Sequence, residues 1–366
     1  MAPVIRVLQA SSDFSVQICV TGQHREMLDQ VLDVFGIIPD FDLNIMKPDQ
    51  TLGELTARAM TALDRLMVEQ KPDMVAVQGD TTTAFVGALA AFYHHIPVSH
   101  IEAGLRTFNL QSPWPEEANR AIVSKLADLH FSPTERARQH LLSEAVERSK
   151  IFVTGNTVVD ALFMALDIVR QRPPEVPGLQ IAFFEDLKYE GSDLILVTGH
   201  RRESFGPGFE RICKALRRIS ERENVRIVYP LHLNPNVREP VIRMLGGLPN
   251  VFLIEPVSYL PFVRLMSESK LIVTDSGGVQ EEAPSLGTPV LVIRETTERP
   301  EAVDAGTVKL VGTDEDSIVR ETLRLLKDSE AYEAMSRAHN PYGDGLASRR
   351  IAKIWERFFS SGGYSL

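Results

Sequence analysis

Short apolar, β-branched runs alternate along most of the chain with stretches whose apolar residues recur at helical spacing. This alternation predicts parallel strands joined by crossover helices. In the first half the strand-like runs are 15–20, 74–78, 98–101, 130–132 and 151–154. Between them, 52–69 reads as a helix, with Leu52, Leu55, Met60, Leu63 and Met67 on one face. The second half repeats the scheme, with strands predicted at 194–198, 226–229, 251–254, 271–274, 290–293 and 308–311. A last amphipathic helix is predicted over 348–359, after the turn Asn340-Pro341-Tyr342-Gly343-Asp344-Gly345. The stretch Arg170-Gln171-Arg172-Pro173-Pro174-Glu175-Val176-Pro177-Gly178 cannot continue a helix or a central strand, and so marks a linker. The pattern therefore predicts an α/β protein of two Rossmann-like domains, 1–170 and 171–345. One element is out of order: the chain opens on a helix-like segment, 4–8, with 15–20 as its first strand. A Rossmann-like half opens on a strand and a tight loop that feeds the first helix. The expectation is that one strand and its loop are missing from the first sheet.

Composition narrows the function classes. A length of 366 residues, 44% hydrophobic and 24% charged, suits two folded domains rather than a disordered chain. The formal net charge of −10 excludes a general nucleic-acid binder, so any anion site must be built locally. The two cysteines, Cys19 and Cys213, offer neither a disulfide framework nor a Cys-rich metal site. No apolar run approaches the ~20 residues of a membrane span, and the opening residues do not read as a secretory signal. A cytoplasmic enzyme with no membrane association is expected.

Candidate chemistry lies just past the carboxyl ends of predicted strands, where open α/β sheets bind ligands. Leu271-Ile272-Val273-Thr274 runs into Asp275-Ser276-Gly277-Gly278 and a helix start. Backbone N–H groups at such a start favour a phosphate, and glycines let it approach. Glu282, one turn deeper, is placed to accept ribose hydroxyls. Thr198-Gly199-His200-Arg201-Arg202 concentrates positive charge at another strand end, as a diphosphate ligand or an acid/base group requires. Asp80, Glu102 and the pair Glu116-Glu117 are carboxylates at strand ends or a helix start in the first domain. Singly, each is also explained as a cap or a first-turn acid. Converging on one cleft, they suit proton transfer. No His-x-x-x-His pair, paired-acid metal motif or Walker loop occurs, so no metal is expected.

These segments together resemble the bacterial non-hydrolysing UDP-N-acetylglucosamine 2-epimerases. The resemblance rests on Thr21-Gly22-Gln23-His24-Arg25-Glu26-Met27-Leu28-Asp29, Gly79-Asp80-Thr81-Thr82-Thr83, His100-Ile101-Glu102-Ala103-Gly104-Leu105-Arg106-Thr107 and 113–120. The second half adds 198–206, His232-Leu233-Asn234-Pro235, 275–287 and Thr297-Glu298-Arg299-Pro300-Glu301. The similarity is greatest to the enterobacterial type, which supplies UDP-N-acetylmannosamine for common-antigen synthesis. It implies a GT-B-like arrangement with the active site in the interdomain cleft, a homodimer, and a last helix, 346–366, that packs back onto the first domain. The implied reaction eliminates UDP from UDP-N-acetylglucosamine to leave 2-acetamidoglucal, then re-adds UDP with C2 inverted, and needs no cofactor.

By position, Asp80, Glu102, Glu116 and His200 match the family's acid/base residues. Ser276, Gly277, Gly278, Glu282 and Arg299 match its phosphate and ribose contacts, and Phe262 lies at the position beside the uracil. Val257 stands where a neighbouring uracil contact is commonly Gln. Gln23, His24, Arg25, Arg58, Arg202 and His232 match a second site at which UDP-N-acetylglucosamine activates the enzyme. The family opens on a strand and a Gly-Thr-Arg-Pro-Glu-like loop with no counterpart in this sequence. Two alternatives stay open: a catalytically impaired UDP-sugar binder, and a GT-B glycosyltransferase or hydrolysing epimerase.

Overall fold

A computed structural model describes residues 1–23 and 25–362. Its strands are β1 (Cys19–Val20), β2 (Phe41–Asp42), β3 (Val75–Gln78), β4 (Val98–Ile101), β5 (Leu129–Ser132), β6 (Ile151–Val153), β7 (Asp193–Thr198), β8 (Val225–Pro230), β9 (Val251–Ile254), β10 (Leu271–Thr274), β11 (Val290–Val292) and β12 (Val308–Leu310). All their pairings are parallel. The chain divides into two compact units, Met1–Ala161 with the stretch from Tyr342 onward, and Leu162–Pro341. The first boundary falls inside the helix Thr157–Gln171, ahead of the proline-rich stretch. The apolar face of that helix carries it through Arg170 and Gln171 before proline can stop it.

In the first unit the sheet is in two pieces, β1-β2 and β3-β4-β5-β6. The predicted strand 15–20 shrinks to Cys19–Val20, because a strand persists only where a neighbour accepts its ladder bonds, and β1 pairs with β2 alone. On one side lie the helices Ala2–Gln9 and Ala347–Ser360, whose Val4, Leu8, Ile351, Trp355 and Phe358 pack with Ile101, Leu129 and Phe131. Trp355 stands edge-on to Phe131, with ring centroids 5.8 Å apart, and donates its indole N–H to Ser99 Oγ at 2.9 Å. Buried Asp160 accepts the backbone N–H groups of Ala347 and Ser348 at 3.2 and 2.8 Å, capping this last helix from the same unit.

In the second unit the strand order is β12-β11-β10-β7-β8-β9. The chain builds one half of the sheet outward from β7, then crosses to β10 and builds the other half. The direction of winding therefore reverses between β7 and β10, and loops leaving these two strands part to opposite faces. β10 and β11 are buried along their full length, which explains their unbroken apolar sequence. Among the described residues, no helix is long and apolar enough to cross a membrane.

Candidate active site

In the first unit, β3 and β4 run side by side with Gln78 opposite Ile101, so Gly79-Asp80 and Glu102 leave adjacent strand ends. Both turns need left-handed backbone: Gly79 has φ +72° and Glu102 has φ +65°. For a glutamate such a conformation costs about 1–3 kcal/mol and persists only when its surroundings hold it. The two residues are close enough that a Cβ on Gly79 would lie 3.6 Å from Glu102 Oε2. Asp80 is fixed from the helix Glu116–Leu126: Arg120 Nε donates to Asp80 Oδ2 at 2.9 Å, and Asn119 Nδ2 donates to the Asp80 carbonyl at 2.8 Å.

The two adjacent glutamates of that helix have different surroundings. Glu117 is buried, accepts the N–H groups of Thr107 and Phe108 at 3.0 and 2.9 Å, and meets Arg120 at 3.2 Å. It holds the 107–108 loop and the arginine that holds Asp80. Glu116 is half-buried in the first turn.

In the second unit the residues gather at the β7/β10 switch point. Asp275, fully buried, accepts the N–H groups of His200 and Arg201 on Oδ2 at 2.6 and 2.7 Å. Its Oδ1 lies 3.1 Å from His200 Nδ1. Burial opposes ionisation of Asp275, yet His200 and the two N–H groups hold the carboxyl below its usual range. The exposed face of His200 stacks on His232, at 5.5 Å between centroids and 18° between planes. Thus Asp275 holds the backbone of His200 and lies against the Nδ1 edge of its ring.

Ser276 opens the short helix Gly277–Glu282 but does not cap it with its side chain. Arg299 stands over the turn: a Cβ on Gly277 would lie 3.9 Å from its guanidinium. Arg299 is also paired with Glu281. Glu282 is buried and accepts a hydrogen bond from Tyr259 Oη at 2.8 Å. Burial, with the neighbouring charge of Glu281, lifts Glu282 to about 7 against the pull of that bond. Phe262, half-buried, lies on the helix Tyr259–Glu268, and half-buried Val257 lies on the loop before it.

The residues matched to an activator site divide between the units. In the first, Gln23 accepts from Thr83 Oγ1 at 2.9 Å, and Arg25 is engaged bidentately by Asp42 at 2.7 Å to each oxygen. Arg58 has its Nε and one terminal nitrogen buried without a partner among the described residues. His24 lies outside the described residues. Arg202 and His232 are exposed in the second unit. The sequence reading did not single out Asp275, Arg120, Asn119 or Tyr259. An acid directly between a buried strand and Ser-Gly-Gly was a usable signal for Asp275. Arg120, Asn119 and Tyr259 act on partners far along the chain and left no local one.

Two Rossmann-like units in one chain, each with polar groups gathered at strand carboxyl ends, give the GT-B-like class of α/β fold. A family profile for UDP-N-acetylglucosamine 2-epimerase matches residues 6–356, and the chain belongs to that family. It is 58% identical over 361 residues to the UDP-N-acetylglucosamine 2-epimerase of Salmonella typhimurium, covering 98% of this chain and 95% of that one. It is 59% identical over 354 residues to the Escherichia coli K12 protein of the same name, covering 96% and 93%. The crystal structure of UDP-GlcNAc 2-epimerase from Neisseria meningitidis bound to UDP-GlcNAc matches with a TM-score of 0.83 at 49% identity, over 98% of this chain and 96% of that one.

Proposed function

We propose that this chain interconverts UDP-N-acetylglucosamine and UDP-N-acetylmannosamine without hydrolysing them, feeding cell-surface polysaccharide synthesis from the cytoplasm. The observation that carries the reading is the pair Asp80 and Glu102. They are two carboxylates on adjacent strand ends, one held by Arg120 and the other in a costly backbone conformation, in a chain more than half identical to named epimerases. In the forward half-reaction a carboxylate takes the C2 proton while the C1–O bond to UDP breaks, leaving 2-acetamidoglucal. UDP oxygen then re-forms the C1 bond, and C2 receives a proton on its other face. We assign the proton transfers to Asp80 and Glu102, with Glu116 as a further acid/base group. His200 is assigned to the departing diphosphate, with its Nδ1 edge held against the Asp275 carboxylate. Ser276, Gly277, Gly278 and Arg299 would hold phosphate, Glu282 the ribose, and Phe262 and Val257 the uracil.

The N. meningitidis relative bound to UDP-GlcNAc supports this substrate. The unused donors of Arg58 support an additional anion, and we assign activation by UDP-N-acetylglucosamine to Gln23, His24, Arg25, Arg58, Arg202 and His232. A homodimer is the assembly proposed. Product analysis in heavy water tests the reaction: a mixture of both UDP-sugars carrying deuterium at C2 is expected. Free N-acetylmannosamine with UDP would make the enzyme a hydrolysing one, and absence of C2 exchange would leave a binder.

A further inference from the structure

His100 sits on β4 two residues before Glu102, fully buried, with Val77 of β3 and His130 of β5 as its register partners. Its Nε2 is 2.8 Å from the carbonyl oxygen of Gly79. A carbonyl only accepts, so Nε2 carries the proton and Nδ1 is left as an acceptor. That Nδ1 is buried and has no partner among the described residues. A buried histidine with one nitrogen unsatisfied is an expensive way to fill a strand position that an apolar side chain would occupy at no such cost. What it achieves is a backbone constraint. Gly79 is the left-handed residue between β3 and Asp80, and without a Cβ it could rotate. The Gly79–Asp80 peptide is trans, so with its carbonyl drawn inward to His100, the N–H of Asp80 is turned the opposite way.

We infer that His100 is a positioning residue for Asp80: by donating Nε2–H to the Gly79 carbonyl it fixes the peptide plane from which Asp80 projects. Asn119 holds the next carbonyl and Arg120 the carboxylate, so the three bonds fix Asp80 before, at and beyond its Cα. Burial pushes His100 down to about 4, against the pull of the Gly79 bond, so the ring stays a neutral, single-donor tautomer at neutral pH. The inference rests on the reading of Asp80 as an acid/base group.

The test compares His100→Phe, which keeps bulk and loses the donor, with His100→Gln, whose amide can reach Gly79. For His100→Phe, kcat should fall about 10- to 100-fold, as displacement of a catalytic group by about 1 Å does. KM and UDP affinity should be unchanged, and His100→Gln should recover most of the rate. In an Asp80→Asn background the His100→Phe loss should vanish, since both act through one group. If His100→Phe does not fold, His100→Asn, polar but too short to reach Gly79, takes its place. A rate loss that Gln does not rescue, or one that persists in full beside Asp80→Asn, overturns the inference. Normal turnover in Asp80→Asn alone removes Asp80 from the mechanism; a loss in His100→Phe beside it then shows His100 acting elsewhere. Nitrogen NMR of the wild-type ring is an independent check: Nε2–H is expected, and an Nδ1–H tautomer would refute the bond itself.

Discussion

At the scale of single residues, two candidate carboxylates have contrasting surroundings. Asp80 has a cation at 2.6 Å and points from a fixed turn. Asp80→Asn should lower kcat about 10²–10⁴-fold, the range for an acid/base group, while leaving UDP affinity unchanged. Turnover within twofold (roughly) of wild type would exclude the assigned role. Glu282 is buried against Tyr259, and burial lifts it to about 7. A ribose clamp needs the ionised form to accept two hydroxyls, so UDP affinity should weaken about tenfold between roughly pH 8 and pH 6. In Glu282→Gln that pH dependence should disappear; calorimetric titration across the range measures both. Linkage has the opposite sign for stability. The folded state binds this proton more tightly than the unfolded one, so its contribution is fully present below the ordinary value of 4.5 and is lost as pH rises through about 7. Ligand-free protein therefore gives up stability over the range in which it gains affinity.

At the scale of elements, the first unit is closed by the end of the chain. Trp355 and Phe358 of the last helix fill the same core as Phe131 and Ile101, and Asp160 satisfies two of that helix's opening N–H groups. Trp355→Ala should cost about 3–5 kcal/mol by denaturant unfolding, through the lost burial and the cavity left beside Phe131. A loss below about 1 kcal/mol would show that the helix is not part of the core. The periodicity of 348–359 made this helix legible, and short β-branched runs made β4, β9 and β10 legible at both ends. Of these, β4 and β10 are buried along their full length, where local pattern and tertiary environment agree. The strand β2, Phe41–Asp42, was not legible: it is two residues long and has a half-buried Phe beside an exposed Asp. It exists because β1 lies beside it, a relation no local window contains. The site divides in the same way. Acids and His at strand ends announce themselves in sequence, whereas the groups that orient them lie 39 and 40 residues away for Asp80 and 75 for His200.

At the scale of the whole molecule, the two units own separate interiors. The large core around Ile195, Phe209, Tyr229 and Ile293 belongs to the second. The clusters around Trp355 and around Leu63 and Met67 belong to the first. Two cores joined by two chain crossings need not melt as one, and two-state behaviour is not the expectation for such a chain. The proposed UDP contacts, Val257, Phe262, Ser276, Gly277, Gly278, Glu282 and Arg299, all fall within the second unit. A ligand bound only to a folded unit stabilises it by about 2.7 kcal/mol at a hundredfold excess over Kd. Scanning calorimetry should therefore resolve two transitions that respond to different perturbations. UDP should raise the transition of the second unit, and Trp355→Ala should lower that of the first. A single transition moved by both would show that the units fold as one cooperative body. A UDP-sensitive transition that is also the one lowered by Trp355→Ala would place the nucleotide against the first unit, and remove the phosphate and ribose assignments from the β10 turn.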